Sequence, residues 1–137
     1  SWISDEDLLK HAPLFIPCVS FGKVISIYDG DTFTIVAKPY NEHPPFKFKV
    51  RLAGIDTPEI KCSSENIKKM ALIAKKFLSD LILDKIVYLK NNKLDKYGRL
   101  LSDVFINDTH VNTALLSGGY AQTYDVKTKK KFEEHNT

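Results

Sequence analysis

Hydrophobic and polar positions change their period along this chain, and the changes mark its elements. Residues 46–52, Phe46-Lys47-Phe48-Lys49-Val50-Arg51-Leu52, alternate without a fault, apolar on one face and basic on the other. That is the pattern of a strand with one side in a core and one in water. Thr32-Phe33-Thr34-Ile35 alternates as well, so residues 23–52 predict three strands in a meander. The interruption at 38–45 holds Pro39, Asn41, Pro44 and Pro45 and reads as a loop, because proline cannot continue a central strand.

Past Asp56-Thr57-Pro58-Glu59 the period becomes helical. Ile67, Met70, Ala71, Ala74, Phe77, Leu78 and Leu81 fall at i, i+3, i+4 spacing, with Lys68, Lys69, Lys75, Lys76 and Asp80 on the other side. This predicts a long amphipathic helix capped by Ser63 or Ser64. Ile86-Val87-Tyr88-Leu89 then predicts a fourth strand, 91–98 a polar turn, and 99–106 a fifth strand closed by Asn107-Asp108. Residues 111–116 read as a short helix ended by Gly118-Gly119.

Five strands with one long helix between the third and fourth is the order of a Greek-key OB-fold barrel. The expected class is therefore α+β, mainly β, with shorter helices packed on the barrel. Residues 1–22 read as an N-terminal extension, with Ser4 placed to cap a short helix and Pro13 and Pro17 setting an extended connector. Residues 23–137 read as one domain ending in a basic tail at 127–131.

Composition changes this picture little. A chain of 137 residues with 43% hydrophobic content can bury one sizeable core. The formal charge of +3 fits a polyanionic ligand without naming one. Cys18 and Cys62 have neither CxxC spacing nor a nearby histidine partner, so neither a zinc site nor a disulfide scaffold is indicated. No run reaches the ~18 apolar residues of a membrane helix, and the expectation is a soluble protein without a membrane partner. The chain begins at Ser1 rather than Met, which fits a processed or trimmed form and leaves secreted and intracellular locations both open.

The candidate chemistry lies in polar residues at strand ends: Asp31, Arg51, Asp56, Glu59 and Arg99. If the second and third strands pair antiparallel, Asp31 at the start of one comes beside Asp56 just past the end of the other. Two carboxylates that close repel unless a cation lies between them, and such oxygen donors suit Ca²⁺ or Mg²⁺ better than zinc. Arg51 and Arg99 offer forked donors for a phosphate, and Glu59, behind Pro58, can reach the same rim. Singly, each has a plainer reading: the aspartates as turn formers, the arginines as solvated strand charges, Glu59 as a surface acid. Together they make a kit for metal-assisted phosphodiester cleavage.

The ordered blocks "YDGDTFTIV", "VRLAGIDTPEIK" and "DKYGR" resemble the staphylococcal nuclease (thermonuclease) family over about residues 22–125, and three blocks in order are far more specific than one. The resemblance implies Ca²⁺ held by Asp31, Asp56 and the backbone carbonyl of Thr57. It implies Glu59 as the residue that activates or positions the attacking water, and Arg51 and Arg99 as the grip on the scissile phosphate. Lys96 and Tyr97 fall near the nucleotide, with turn chemistry as their other reading, and Tyr124 aligns with a base-stacking tyrosine after a shift of register.

The implied activity is a Ca²⁺-dependent, sugar-nonspecific endonuclease. It would hydrolyse the 5′ P–O bond of DNA or RNA, single strands preferentially, leave 3′-phosphates, and act as a monomer. Its alternative is a catalytically inactive nucleic-acid or protein binding module of the same fold. Residues 60–64 are shorter than the basic loop of the bacterial secreted enzymes, and the family's C-terminal helix is present at most as 129–135. A generic single-strand binder would require more exposed aromatic side chains than the predicted strands offer.

Overall fold

The structure, a computed structural model, describes residues 1–61 and 64–124. Five strands close on themselves: β1 (Phe21–Ile27), β2 (Thr32–Ala37), β3 (Phe46–Leu52), β5 (Ile86–Leu94) and β6 (Leu100–Ile106). The pairs β1–β2, β2–β3, β1–β5 and β5–β6 are antiparallel. Closure is made by a parallel pairing of β3 with β6, Val50 opposite Leu100 and Leu52 opposite Ser102. This is the OB-fold barrel that the strand order implied, and closure leaves these central strands without a free edge.

Alternation drives the barrel. In β6 every second residue, from Leu100 through Ile106, is buried, and Phe33, Ile35, Val50, Leu52, Val87 and Val104 fill the interior with no exposed surface. The helix α2 (Glu65–Ile82) covers one end, burying Ile67, Ala71, Ala74, Leu78 and Ile82. Of the two serines proposed as its cap, Ser64 receives the Ile67 N–H. Ser63, Cys62, the basic tail at 127–131 and the segment 129–135 lie outside the described residues. Cys18 is an exposed free thiol, and among the described residues no helix is long and apolar enough to cross a membrane.

Three expectations need correction. The short N-terminal helix α1 (Glu6–His11) is capped by Asp5, not Ser4: the Asp5 carboxylate receives the N–H groups of Asp7 and Leu8, whereas the Ser4 hydroxyl donates to the Ser1 carbonyl. Strand β5 runs on to Leu94 through residues expected to turn. A bulge between Lys90 and Lys93 makes this possible, with Asn91 at φ 57°, a conformation asparagine tolerates. The amide of Asn92 then ties β5 to the Val19 carbonyl at 2.6 Å and accepts from Ser102 Oγ at 2.7 Å. Finally, exposed rings are not lacking on the strands: Phe21 and Tyr88 face outward from β1 and β5.

Among the described residues, three two-residue strands escaped the periodicity. β4 (Ile55–Asp56) pairs with β8 (Gln122–Thr123), so Asp56 lies opposite Gln122. Two-residue strands are too short for any alternation to register. Between them in sequence, β7 (Thr109–His110) completes a hairpin with β6, and α3 (Val111–Ser117) follows.

Candidate active site

The turn between β1 and β2 delivers the first acid. Asp29 Oδ1 receives the Asp31 N–H at 3.0 Å, and the Tyr28 and Asp29 N–H groups donate to the Thr32 carbonyl. Gly30, between them, does not use the positive φ that glycine permits. Its role is steric: a Cβ there would meet Ala74 Cβ at 2.8 Å and Thr57 side-chain atoms at 3.0 Å. The turn is therefore pressed against α2 and the segment after β4. Gly30→Ala is expected to cost about 1–3 kcal/mol through this overlap, measured by urea unfolding; a cost below about 0.5 kcal/mol would mean that α2 yields freely.

Asp31 is 5% exposed and fully engaged. Its Oδ1 receives the Thr32 hydroxyl at 3.0 Å, and its Oδ2 receives the Thr57 N–H at 3.1 Å and the Thr57 hydroxyl at 3.0 Å. The β2–β3 register sets Thr32 opposite Arg51, and the Leu52 N–H donates to the Asp31 carbonyl, which brings the start of β2 beside the end of β3. Asp56 arrives from β4 at the same guanidinium. Arg51 Nη2 lies 3.4 Å from Asp31 Oδ2 and donates to Asp56 Oδ1 at 3.3 Å, while Nη1 donates to the Leu52 and Ile55 carbonyls. One cationic nitrogen thus stands between the two acids.

Burial and the negative charge of Asp31 push the Asp29 carboxyl up from 3.8 to about 7. Burial is the larger cause, and the neighbouring Asp31 charge adds to it, since both disfavour the ionised form of Asp29.

The second arginine comes from the 95–99 turn joining β5 to β6. Asp95 Oδ1 receives the N–H groups of Tyr97 and Arg99, and its Oδ2 receives Arg99 Nε at 2.6 Å. Gly98, at φ 80°, allows the chain to close around that carboxylate. Burial works to raise the Asp95 pKa, but the hydrogen bonds from Arg99 and Tyr97 outweigh it and hold it below 3.8. A lowered folded value means stability that is present above 3.8 and lost as pH falls through that folded value. Asp95→Asn is expected to lose about 1 kcal/mol at pH 7 and nothing at a pH below the folded value, by paired urea melts. An equal loss at both pH values would place the effect in shape rather than charge.

Asp31, Thr57, Arg51, Asp56, Glu59, Lys96, Tyr97, Arg99 and Tyr124 all line one cleft of about 600 Å³. Glu59 is exposed there. Tyr97, also exposed, has its ring 5.3 Å from the Arg99 guanidinium and 5.1 Å from Lys96 Nζ. Tyr124 is brought in by the β4–β8 pairing: its N–H donates to the Gly54 carbonyl, and its ring centroid lies 5.7 Å from Arg51.

Sequence reading places Asp29 in an Asp29-Gly30 hairpin turn, as turn chemistry or a neighbour of the metal acids, and gives no role to Asp95 or Asn112. Asp29 and Asp95 stood inside quoted motifs, and the spacing of Asp95 to Tyr97 and Arg99 is the signal of a side chain folding back on its own turn. Asn112 is 2% exposed, accepts from the Val104 N–H and donates to the Ala53 and Ser102 carbonyls. It fastens α3 to the loop that carries Gly54 and β4, and nothing in the pattern marks it.

The donor set fits a hard cation in kind: a carboxylate from the β1–β2 turn and one from β4 converge where positive charge already stands. Among the described residues no group of three or more His, Cys, Asp or Glu is placed to hold a metal. A hard cation held by Asp31 and Asp56 would need further oxygens from backbone, water or substrate.

The fold is an OB barrel whose rim gathers acids and two arginines in one cleft. Residues 49–137 match the family described as Staphylococcal nuclease homologue. The chain belongs to that family. It is 37% identical over 102 residues to an uncharacterized protein of Bacillus anthracis, covering 72% of this chain and 45% of the relative. It is 36% identical over 102 residues to an uncharacterized endonuclease of Haemophilus influenzae, covering 74% and 51%. It is 30% identical over 134 residues to the probable endonuclease LCL3 of Podospora anserina, covering 82% and 48%. The chain thus spans about half the length of these curated relatives.

Proposed function

We propose that this chain is a Ca²⁺-dependent, sugar-nonspecific endonuclease that hydrolyses the 5′ P–O bond of DNA and RNA, preferring single strands and leaving 3′-phosphate ends. The observation that carries this reading is the meeting of Asp31 and Asp56 at Arg51, with Glu59 and Arg99 around the same cleft. Family membership and the endonuclease names of two relatives support it.

Glu59 accepts a proton from water as the water oxygen bonds to phosphorus. Arg51 and Arg99 hold the non-bridging oxygens as negative charge grows there. Arg99 meets Asp95 through Nε, so its two Nη nitrogens are the donors a phosphate takes. As the 5′ P–O bond breaks, its electron pair stays on the 5′ oxygen, which takes a proton from solvent water and leaves as the 5′-hydroxyl, while Glu59 returns its proton to solvent. Asp31, Asp56 and the Thr57 carbonyl would hold Ca²⁺, which would supply positive charge beside the phosphate and neutralise the two acids, while Arg51 and Arg99 bind the phosphate. Tyr97, Lys96 and Tyr124 offer ring faces and charge to the nucleotide and read no particular base, so sequence specificity is low.

Asp31→Asn keeps an oxygen for the Thr57 donors while removing the charge. Its Ca²⁺ affinity is expected to fall at least about tenfold, or ~1.4 kcal/mol, with an unchanged circular dichroism spectrum. Calorimetric Ca²⁺ binding equal to wild type would end the ligand assignment.

A further inference from the structure

The outer face of β1, β5 and β6 carries rings that the cleft does not use. Phe21 lies opposite Tyr88, Tyr88 opposite Phe105, and Phe105 opposite His110 of β7, in the registers of four neighbouring strands. Side chains at registered positions share a face, and the alternate residues Gly22, Val87 and Val104 point into the barrel. Phe21 and Tyr88 are 56% and 52% exposed, with ring centroids 6.0 Å apart. His110 stacks on Phe105 at 4.8 Å, and Lys90 Nζ lies 5.1 Å from the Phe105 centroid.

Charge borders this row. Lys23 and Lys90, each two residues from a ring along the same strand face, are exposed. Asp103, opposite Lys90, turns its oxygens to Asn91 and His110. Exposed rings beside lysines on a sheet suit unpaired bases and their phosphates: every base has a face to stack, and each phosphate a charge to meet. The β5–β6 ribbon also continues to the 95–99 turn of the cleft. Leu94 lies six positions along the strand from Tyr88, roughly 20 Å, so one extended polynucleotide can touch both places.

We infer that this face binds an unpaired nucleic-acid strand, with bases on Phe21 and Tyr88 and phosphates on Lys23 and Lys90. For its substrate class it rests on the endonuclease reading.

The test measures fluorescence anisotropy of labelled oligothymidine and oligouridine, in chelator so that nothing is cleaved. With Phe21→Ala combined with Tyr88→Ala, affinity for the long oligonucleotides is expected to fall about tenfold or more, while Tyr88→Phe retains it and the rate on a dinucleotide substrate with Ca²⁺ is unchanged. Thymidine and uridine arms separate DNA from RNA. If the double variant fails to fold, Lys23→Glu with Lys90→Glu asks the same question and should lose affinity to a similar degree.

Unchanged oligonucleotide affinity in a folded variant overturns the inference. So does concentration-dependent self-association that the ring substitutions abolish, which would make the face a contact between copies. Binding through this face without any cleavage would sink the endonuclease reading alone; dinucleotide cleavage with unchanged oligonucleotide affinity would sink only this site.

Discussion

Glu59→Ala is expected to lower the single-turnover cleavage rate by about 10²- to 10⁴-fold, the usual contribution of a positioned acid–base group. The side chain is exposed at the cleft, so unfolding free energy should stay within about 0.5 kcal/mol of wild type. Glu59→Gln should behave alike, since it keeps the shape and loses the proton acceptor. A rate close to wild type in either variant would remove Glu59 from the chemistry. A matching loss of stability would show that it acts through the fold.

Arg51→Ala is expected to damage both activity and fold. The guanidinium is hydrogen-bonded to the Leu52 and Ile55 carbonyls and stands between Asp31 and Asp56. Removing it leaves two acids facing each other with no cation between them, at a cost of about 3 kcal/mol. Added Ca²⁺ should return part of that stability, because it replaces the missing charge at the same place. Arg51→Lys separates the two roles: it keeps a positive charge but has no fork for a phosphate. The expected outcome is partial recovery of stability with cleavage still down by about 10²-fold or more. Urea melts with and without Ca²⁺, beside cleavage rates, decide it. Recovery of both properties by lysine would mean that the fork is not needed.

The barrel was legible because its strands announce themselves by period: residues 46–52 alternate perfectly and emerge as β3, and the i, i+3, i+4 stripe from Ile67 emerges as α2. The meeting of Asp31 with Asp56 followed from antiparallel pairing alone, and the register of Thr32 with Arg51 delivers it. What stood between the two acids was not legible. A long side chain reaching from β3 to both carboxylates depends on depth and direction, which spacing does not carry.

Other features were hidden for physical reasons of their own. The Asp29-Gly30 pair reads as a hairpin signal, yet Gly30 is there because Ala74 and Thr57 lie against it, contacts far away in sequence. The bulge at Asn91 extends β5 where polar composition suggested a turn, since two asparagines can satisfy backbone and neighbours while the ladder slips by a residue. The β4–β8 pairing that aligns Asp56 and draws Tyr124 to the rim is made of two-residue strands. The family match begins at Lys49 and so does not include Asp31; the geometry of β2 and β3 ties that acid to the rest.

The most direct test of a metal-assisted nuclease at this cleft is cleavage of end-labelled single-stranded DNA by the purified chain in Ca²⁺ and in excess chelator. Cleavage with Ca²⁺ that leaves 3′-phosphate ends and stops in chelator is the predicted result. Cleavage indifferent to chelator, or binding of the strand with no cleavage in Ca²⁺, would contradict it.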